Sequence, residues 1–191
     1  MLRTALLLAL LASPALAGPL QEADLSARLY AEGLALQDPV LLLAAARLRK
    51  AAGFPPAGTL PVGWQVMLDS ASQLAQGDET LLALIDDTAA ETTKGVATGP
   101  VYRLDRIDPG ATDRFPLIEV TAGQRTEVYV EPESGTDLNL VIRDGSGAVL
   151  CADTDPSPIA YCAWTQAEPD SVAIEVTNAG PDSTPYALMT N

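Results

Sequence analysis

The chain contains no histidine. That removes the commonest general base, the Ser-His and Cys-His nucleophile pairs, and the usual transition-metal ligand. Basic residues are scarce as well, with 11 Lys and Arg against 25 Asp and Glu and a formal charge of −14. A surface of that sign repels nucleic acid and anionic lipid. From residue 131 onward a single basic residue, Arg143, stands among ten acids, which reads as a solvated acidic surface or a cation-binding one. Cysteine occurs twice, as Cys151 and Cys162, and their spacing is too long for the Cys-x-x-Cys geometry of redox-active pairs. The residue directly after a leader ending at Ala17 is Gly18 and not Cys, which argues against a lipid-anchored form, and no later segment is apolar enough to span a bilayer.

Met1 to Ala17 reads MLRTALLLALLASPALA: one Arg, an apolar run, a Pro14 break and an Ala15-Leu16-Ala17 ending. This is the order of a secretory signal peptide cleaved after Ala17. Its apolar stretch falls short of the roughly 20 residues that cross a bilayer, so no membrane anchor is expected. Export to a periplasmic or extracellular location makes a Cys151–Cys162 disulfide chemically permissible. The two cysteines lie symmetrically about a Pro-rich turn. If the flanks pair as a hairpin, Cys151 opposes Cys162, Ala152 opposes Tyr161 and Asp153 opposes Ala160.

From Leu20 to Lys94 apolar residues recur at helical spacing. A first helix carries Leu25, Leu29, Gly33 and Leu36 on one side, widened by Tyr30 and Leu34. Asp38-Pro39 caps and opens a second helix, which ends at Gly53 with Arg47, Arg49 and Lys50 near its negative pole. After the loop Phe54 to Gly58, a third helix runs from Trp64 to Gln76 with Val66, Met67, Ala71 and Leu74 as its apolar face and Trp64 in its core. Asp78 then caps a fourth helix bearing Leu81, Leu82, Leu84 and Ile85 and ending near Gly95. A shift of 40 residues superposes Ala31 on Ala71, Leu34 on Leu74, Asp38 on Asp78, Leu41 on Leu81 and Leu42 on Leu82. Two copies of a weak repeat suit two α-hairpins in a small bundle; the rival is a tetratricopeptide-like adaptor that binds a partner protein.

Behind the linker at residues 96–100 the period changes to two. Candidate strands are Val101 to Ile107, Phe115 to Thr121, Arg125 to Glu131, Asp137 to Arg143, Ala148 to Ala152, Ile159 to Trp164, Val172 to Thr177 and Tyr186 to Thr190. Leu138, Leu140 and Ile142 share one face of their strand, as do Val172, Ile174 and Val176 of theirs, so each sheet packs on another. The expected fold class is α+β in two domains: an α-hairpin bundle at 18–95 and an antiparallel β-sandwich at 101–191.

The stretch FPLIEVTAGQRTEVYVEPESGTDLNLVIRDGSGAVL, an acidic loop and a closing SVAIEVTNAG…PYALMT resemble the bacterial pre-peptidase C-terminal domain. The matching positions include Phe115, Val120, Gly123, Asp137, Leu138, Leu140, Asp144, Gly147, Asp153, Val176, Asn178 and Tyr186, across residues 115–191. The resemblance implies a jelly-roll-like sandwich, exported and often noncatalytic, with relatives that bind collagen, carbohydrate or calcium. Asp170-Ser171-Val172 departs from the family's aromatic at that turn, and no protease domain precedes the module, so a role as an enzyme's appendage does not transfer.

Three sites follow. Asp144, Asp153 and Asp155 supply acidic loop oxygens of the kind calcium takes, against the plainer reading of a solvated loop. Trp164, two residues after Cys162, either packs over the disulfide or offers a stacking platform for a sugar. Arg103, Arg106, Arg114 and Arg125 are expected to form salt bridges that dock the two halves. Carboxylate pairs such as Asp86 with Asp87 or Glu131 with Glu133 are not expected to converge for glycoside hydrolysis, and nothing combines a base, a nucleophile and an orienting group. The function expected is therefore noncatalytic binding of a protein, a glycan or calcium, without another cofactor.

Overall fold

The structure is a computed structural model that describes residues 18–53, 61–91 and 101–191. The leader at 1–17, the loop Phe54 to Gly58, the linker at 96–100 and the expected helix end near Gly95 lie outside the described residues. Four helices, α1 (Pro19–Leu36), α2 (Pro39–Ala51), α3 (Trp64–Leu74) and α4 (Glu79–Ala90), precede eight strands. The strands are β1 (Val101–Ile107), β2 (Thr112–Val120), β3 (Arg125–Pro132), β4 (Leu138–Arg143), β5 (Val149–Asp153), β6 (Ala160–Thr165), β7 (Asp170–Asn178) and β8 (Thr184–Thr190).

The helix starts follow from local chemistry. Asp38 accepts from the backbone N–H groups of Val40 and Leu41, and Asp78 accepts from Leu81, so both predicted caps close their helices. The apolar faces differ from the expected ones. In α1 Leu25, Leu34 and Leu36 are exposed, whereas Leu20, Ala23, Ser26, Ala27 and Gly33 are buried. Val66, Leu74 and Leu84 are exposed too, and Trp64 is only half-buried. Small residues win because they let the helix axes approach. Ser26 Oγ donates to the carbonyl of Ala45 at 2.8 Å, and a methyl group on Gly33 would lie 2.7 Å from Leu42 Cδ2 and 3.1 Å from the Leu42 nitrogen. Gly33→Ala therefore sets a helix-propensity gain of about 1 kcal/mol against an overpacking cost of about 1–3 kcal/mol. The Leu42 side chain that must give way is itself fully buried and the backbone nitrogen behind it yields little, so chemical denaturation is expected to show a net loss of stability.

Lys50, expected only to complement a helix pole, caps a different helix. Its Nζ donates to the carbonyls of Thr88 and Ala89 at the end of α4 and sits 4.3 Å from the centre of the Trp64 ring.

The strands form two antiparallel four-stranded sheets, in the orders β1-β8-β3-β6 and β2-β7-β4-β5. These are the interleaved orders of a jelly roll. As the alternation predicts, Leu138, Leu140, Ile142, Val172, Ile174 and Val176 are buried between the sheets, together with Val128, Val130 and Cys162. The register of β2 on β7 shifts between Phe115 and Ile118, where Pro116 removes a donor from an edge strand.

The disulfide is present, with a Cα–Cα distance of 5.9 Å, but it does not close a hairpin. Cys151 pairs with Ile142 of β4, and Cys162 pairs with Val128 of β3. The bond joins the edge strands of opposite sheets, and the chain between them crosses the sandwich. Pro156 and Pro158 offer no N–H groups for a hairpin ladder. Instead Asp153 Oδ2 accepts from the Tyr161 nitrogen at 2.9 Å and Ser157 Oγ donates to the Ile159 carbonyl at 2.8 Å.

The helices cover the outer face of the first sheet. Leu20, Ala23 and Ala27 of α1 and Ala52 after α2 pack on Tyr129, Ile159, Ala187 and Met189. Strand β3 is consequently buried on both faces: Val128 and Val130 point into the sandwich while Glu127, Tyr129 and Glu131 lie under the helices. Arg49 of α2 is fully buried there. It donates to Glu131 Oε2 at 2.8 Å, to the Tyr129 hydroxyl at 3.4 Å and to Ser26 Oγ at 3.2 Å. The Tyr129 hydroxyl also donates to Glu131 Oε2, while Glu131 Oε1 accepts from the Val62 nitrogen at 2.9 Å. Burial pushes the Tyr129 hydroxyl well above its usual range. The buried docking contact is thus made by Arg49, and Arg28 of α1 adds ion pairs to Asp153 and Asp155 at 3.7 and 3.5 Å; of the four arginines singled out in the sequence, three stay within the sandwich. Arg103 pairs with Asp105, Arg106 reaches Ser183, and Arg114 pairs with Glu175, all within the sandwich; Arg125 alone among them reaches α1, at Gln21.

Candidate functional site

At one end of the sandwich the sheets part around a cavity of about 150 Å³. Its apolar wall is Ile118 and Val120 of β2, Val128 of β3, Trp164 of β6, and Val172 and Ile174 of β7. Its mouth is polar, with Glu119, Thr121, Gln124, Arg125, Thr126, Thr190 and Asn191. The location has a simple cause. The ends of β2, β6 and β8 and the starts of β3 and β7 meet there, and five strand ends around a two-layer core leave a mouth that short turns do not fill.

Trp164 shares the inner face of β6 with Cys162, as the two-residue spacing predicts, and packs on the sandwich core while lining the cavity. Its indole Nε1–H is buried and has no hydrogen-bond partner. An unmade bond at a buried donor costs about 1–3 kcal/mol, and a ligand acceptor would recover it. Arg125 borders the mouth as a fixed cation. Its Nε donates to Glu127 Oε1 at 3.0 Å and its Nη2 to the Tyr161 hydroxyl at 3.2 Å, bonds that hold its pKa above the usual value. Burial pushes the Tyr161 hydroxyl up to about 12, reinforced by its donation to Glu127. Asn191 accepts from the Glu127 nitrogen at 2.9 Å and donates to the Arg125 carbonyl at 3.0 Å, which ties the far side of the mouth to β3.

The three acids considered for calcium occupy two places. Asp144 sits in the β4–β5 turn, where Oδ1 accepts from the Ser146 hydroxyl and from the Ser146 and Ala148 nitrogens. Those bonds, the hydroxyl's foremost, hold its carboxyl below the ordinary carboxylate value. Asp153 ends β5, Asp155 lies in the crossing loop behind it, and they face Arg28 of α1 at 3.7 and 3.5 Å. Among the described residues no group of three or more Asp, Glu or Cys side chains converges as a metal ion requires. The midpoint of thermal unfolding is accordingly expected to stay unchanged at millimolar Ca²⁺; a rise would return the loop acids to a calcium role. Asp86 and Asp87 are exposed on α4, and Glu131 is engaged beneath the helices while Glu133 is exposed, so neither carboxylate pair shares a cleft.

The cavity was not legible beforehand, because its walls come from five separate strands; Trp164 was the one part with a signal. The class the fold defines is a helix-covered β-sandwich of jelly-roll order. No family model matches the sequence, and no curated protein matches it. Among solved structures, the chain is similar to PliG of Aeromonas hydrophila, a periplasmic inhibitor of g-type lysozyme. The identity is 12% and the TM-score 0.36, over 53% of this chain and 91% of that one. It is similar also to the pre-peptidase C-terminal domain of collagenase from Bacillus anthracis (16% identity, 44% and 91% covered, TM-score 0.31). A third is a carbohydrate-binding module of Cellvibrio mixtus lichenase 5A, solved with cellotriose (12% identity, 49% and 87% covered, TM-score 0.30). Likenesses this remote concern the β-sandwich alone; the site is argued from this chain's own residues. No helix among the described residues is long and apolar enough to cross a membrane.

Proposed function

We propose that this chain is a noncatalytic exported binding protein whose sandwich, of the pre-peptidase C-terminal kind, takes a glycan at the Trp164 cavity. The observation that carries the reading is the buried, unpartnered indole N–H of Trp164 in an apolar cavity with a polar mouth. A sugar ring offers both halves of the match: C–H groups for the indole and valine walls, and hydroxyl oxygens for the N–H and the rim. The volume of about 150 Å³ is below the roughly 300–1,000 Å³ of drug-sized sites, so one ring or one protruding group enters and the rest of the ligand lies across the rim. The charge of −14 favours a neutral glycan over an anionic one. The disulfide suits the oxidising compartment that export implies.

A second reading has its own observation. Leu25, Leu34, Leu36 and Val40 are exposed on α1 and α2, and Leu84 on α4, as a partner-binding helical surface would require. Affinity capture from a native periplasmic extract separates the two. If Leu34→Ser/Leu36→Ser abolishes capture of a protein and Trp164→Ala leaves it intact, the helical adaptor reading replaces the sandwich one. Loss of glycan retention with Trp164→Ala alone supports the cavity.

A further inference from the structure

The outer face of β3 holds one more charged group that the docking of the helices does not explain. Glu127 is 0% exposed. Its Oε1 accepts from Arg125 and from the Tyr161 hydroxyl, but its Oε2 is buried and has no partner. An ionised carboxylate oxygen left so costs more than a neutral group would. The backbone that lies against this oxygen belongs to Gly18, the residue before α1. A methyl group on Gly18 would come 2.3 Å from both Oε1 and Oε2, so any larger residue there would displace the Glu127 carboxylate. Gly18 is also the N-cap of α1 and provides no side-chain cap, and Pro19 behind it has no N–H to give.

Gly18 is the first residue left by the leader's predicted cleavage after Ala17. We infer that signal-peptide removal builds a buried ion pair in this fold: the new α-ammonium of Gly18 bonds the orphan oxygen of Glu127. The chemistry balances simply. One water hydrolyses the Ala17–Gly18 peptide bond, leaving a carboxylate on Ala17 and an amine on Gly18 that takes up a proton. A peptide N–H at this position has one donor in a fixed direction, set by φ −71°. The ammonium has three donors, turns freely about the N–Cα bond and carries the charge that Glu127 lacks opposite its second oxygen. By ordinary bond lengths the nitrogen lies within about 5 Å of both oxygens. The positive pole of α1 points at the same carboxylate. Cleavage therefore completes the seating of α1 on the first sheet, and in the uncleaved precursor the same helix rests on a carboxylate that Arg125 meets at Oε1 alone.

The experiment begins with the mass of the exported protein, which is expected to start at Gly18; a start elsewhere overturns the inference. That protein is then compared by thermal unfolding with a refolded chain that retains Ala17 and with one whose Gly18 amine is acetylated. Both modified forms are expected to melt about 5 °C lower, and Glu127→Gln is expected to erase the difference. Equal midpoints, or a difference that persists with Glu127→Gln, would contradict the pair. Should Glu127→Gln fail to fold, amine reactivity in the wild type decides. Acylation of the Gly18 amine is expected to run at least about tenfold slower in the native protein than in urea, and an equal rate after correction for urea would refute it.

Discussion

Arg49→Met is expected to lower the unfolding midpoint of this protein by about 10 °C. Arg49 and Glu131 are 0% and 5% exposed at their side chains and meet at 2.8 Å. Removing one partner of such a pair costs about 3–5 kcal/mol, because the charge left behind stays in a low dielectric. Glu131 would retain the Val62 nitrogen and the Tyr129 hydroxyl as donors, neither of which carries charge. The double change Arg49→Met/Glu131→Gln is expected to recover part of the loss, since the amide keeps an acceptor for Val62 and buries no charge. Equal losses in the single and double variants would mean that the stability resides in side-chain packing and not in the pair. The same variants test the docking of the helices. With the pair intact, helical circular dichroism and sandwich tyrosine signals are expected to fall in one transition; separation of the two on Arg49→Met would identify this pair as the clamp between the halves.

The second large effect concerns the disulfide. Cys151→Ala/Cys162→Ala is expected to cost about 3 kcal/mol by the loop-entropy relation for a separation of this length. Its location tells more than its size. Because the bond joins the edge strands β5 and β6 of opposite sheets, its loss is expected to raise amide exchange in those two strands while β3, β4 and β7 keep their protection. Uniform loss of protection across the sandwich would contradict the inter-sheet placement. Non-reduced peptide mapping that returned free thiols would remove the bond from the account entirely.

The parts of the fold legible in the sequence are those governed by local rules. Alternation placed all eight strands, and the inward face of β4 and β7 was read residue by residue. Asp38 and Asp78 announced two helix starts. What escaped was set by tertiary contact. In α1 the leucines look like the core stripe, yet Ala23, Ser26, Ala27 and Gly33 are inside, because close approach to α2 and the cover over the first sheet both require small side chains. RTEVYVEP is legible as a strand, but nothing in it shows that the face bearing Glu127, Tyr129 and Glu131 lies under helices. Arg49 on a neighbouring helix answers Glu131 and Tyr129 there, and Arg125 and Tyr161 answer Glu127. The cysteine symmetry suggested a hairpin, but symmetry about a turn does not say whether the chain returns within one sheet or crosses to the other. Of the candidate site, Trp164 was visible in the sequence and its cavity was not, since Ile118, Val128, Val172 and Ile174 are joined only by the packing of two sheets.

A ligand in the Trp164 cavity would be reported directly by the indole N–H. In a ¹H–¹⁵N spectrum of the protein, Trp64 and Trp164 give two side-chain signals, assigned by replacing each in turn. Neutral oligosaccharides of glucose, xylose and N-acetylglucosamine are added in series. At least one of them is expected to move the Trp164 indole signal saturably downfield as the N–H gains an acceptor, while Trp64, covered by Lys50 in the helical half, stays in place. A Trp164 signal unmoved by every sugar, or shifts confined to Trp64, would contradict it.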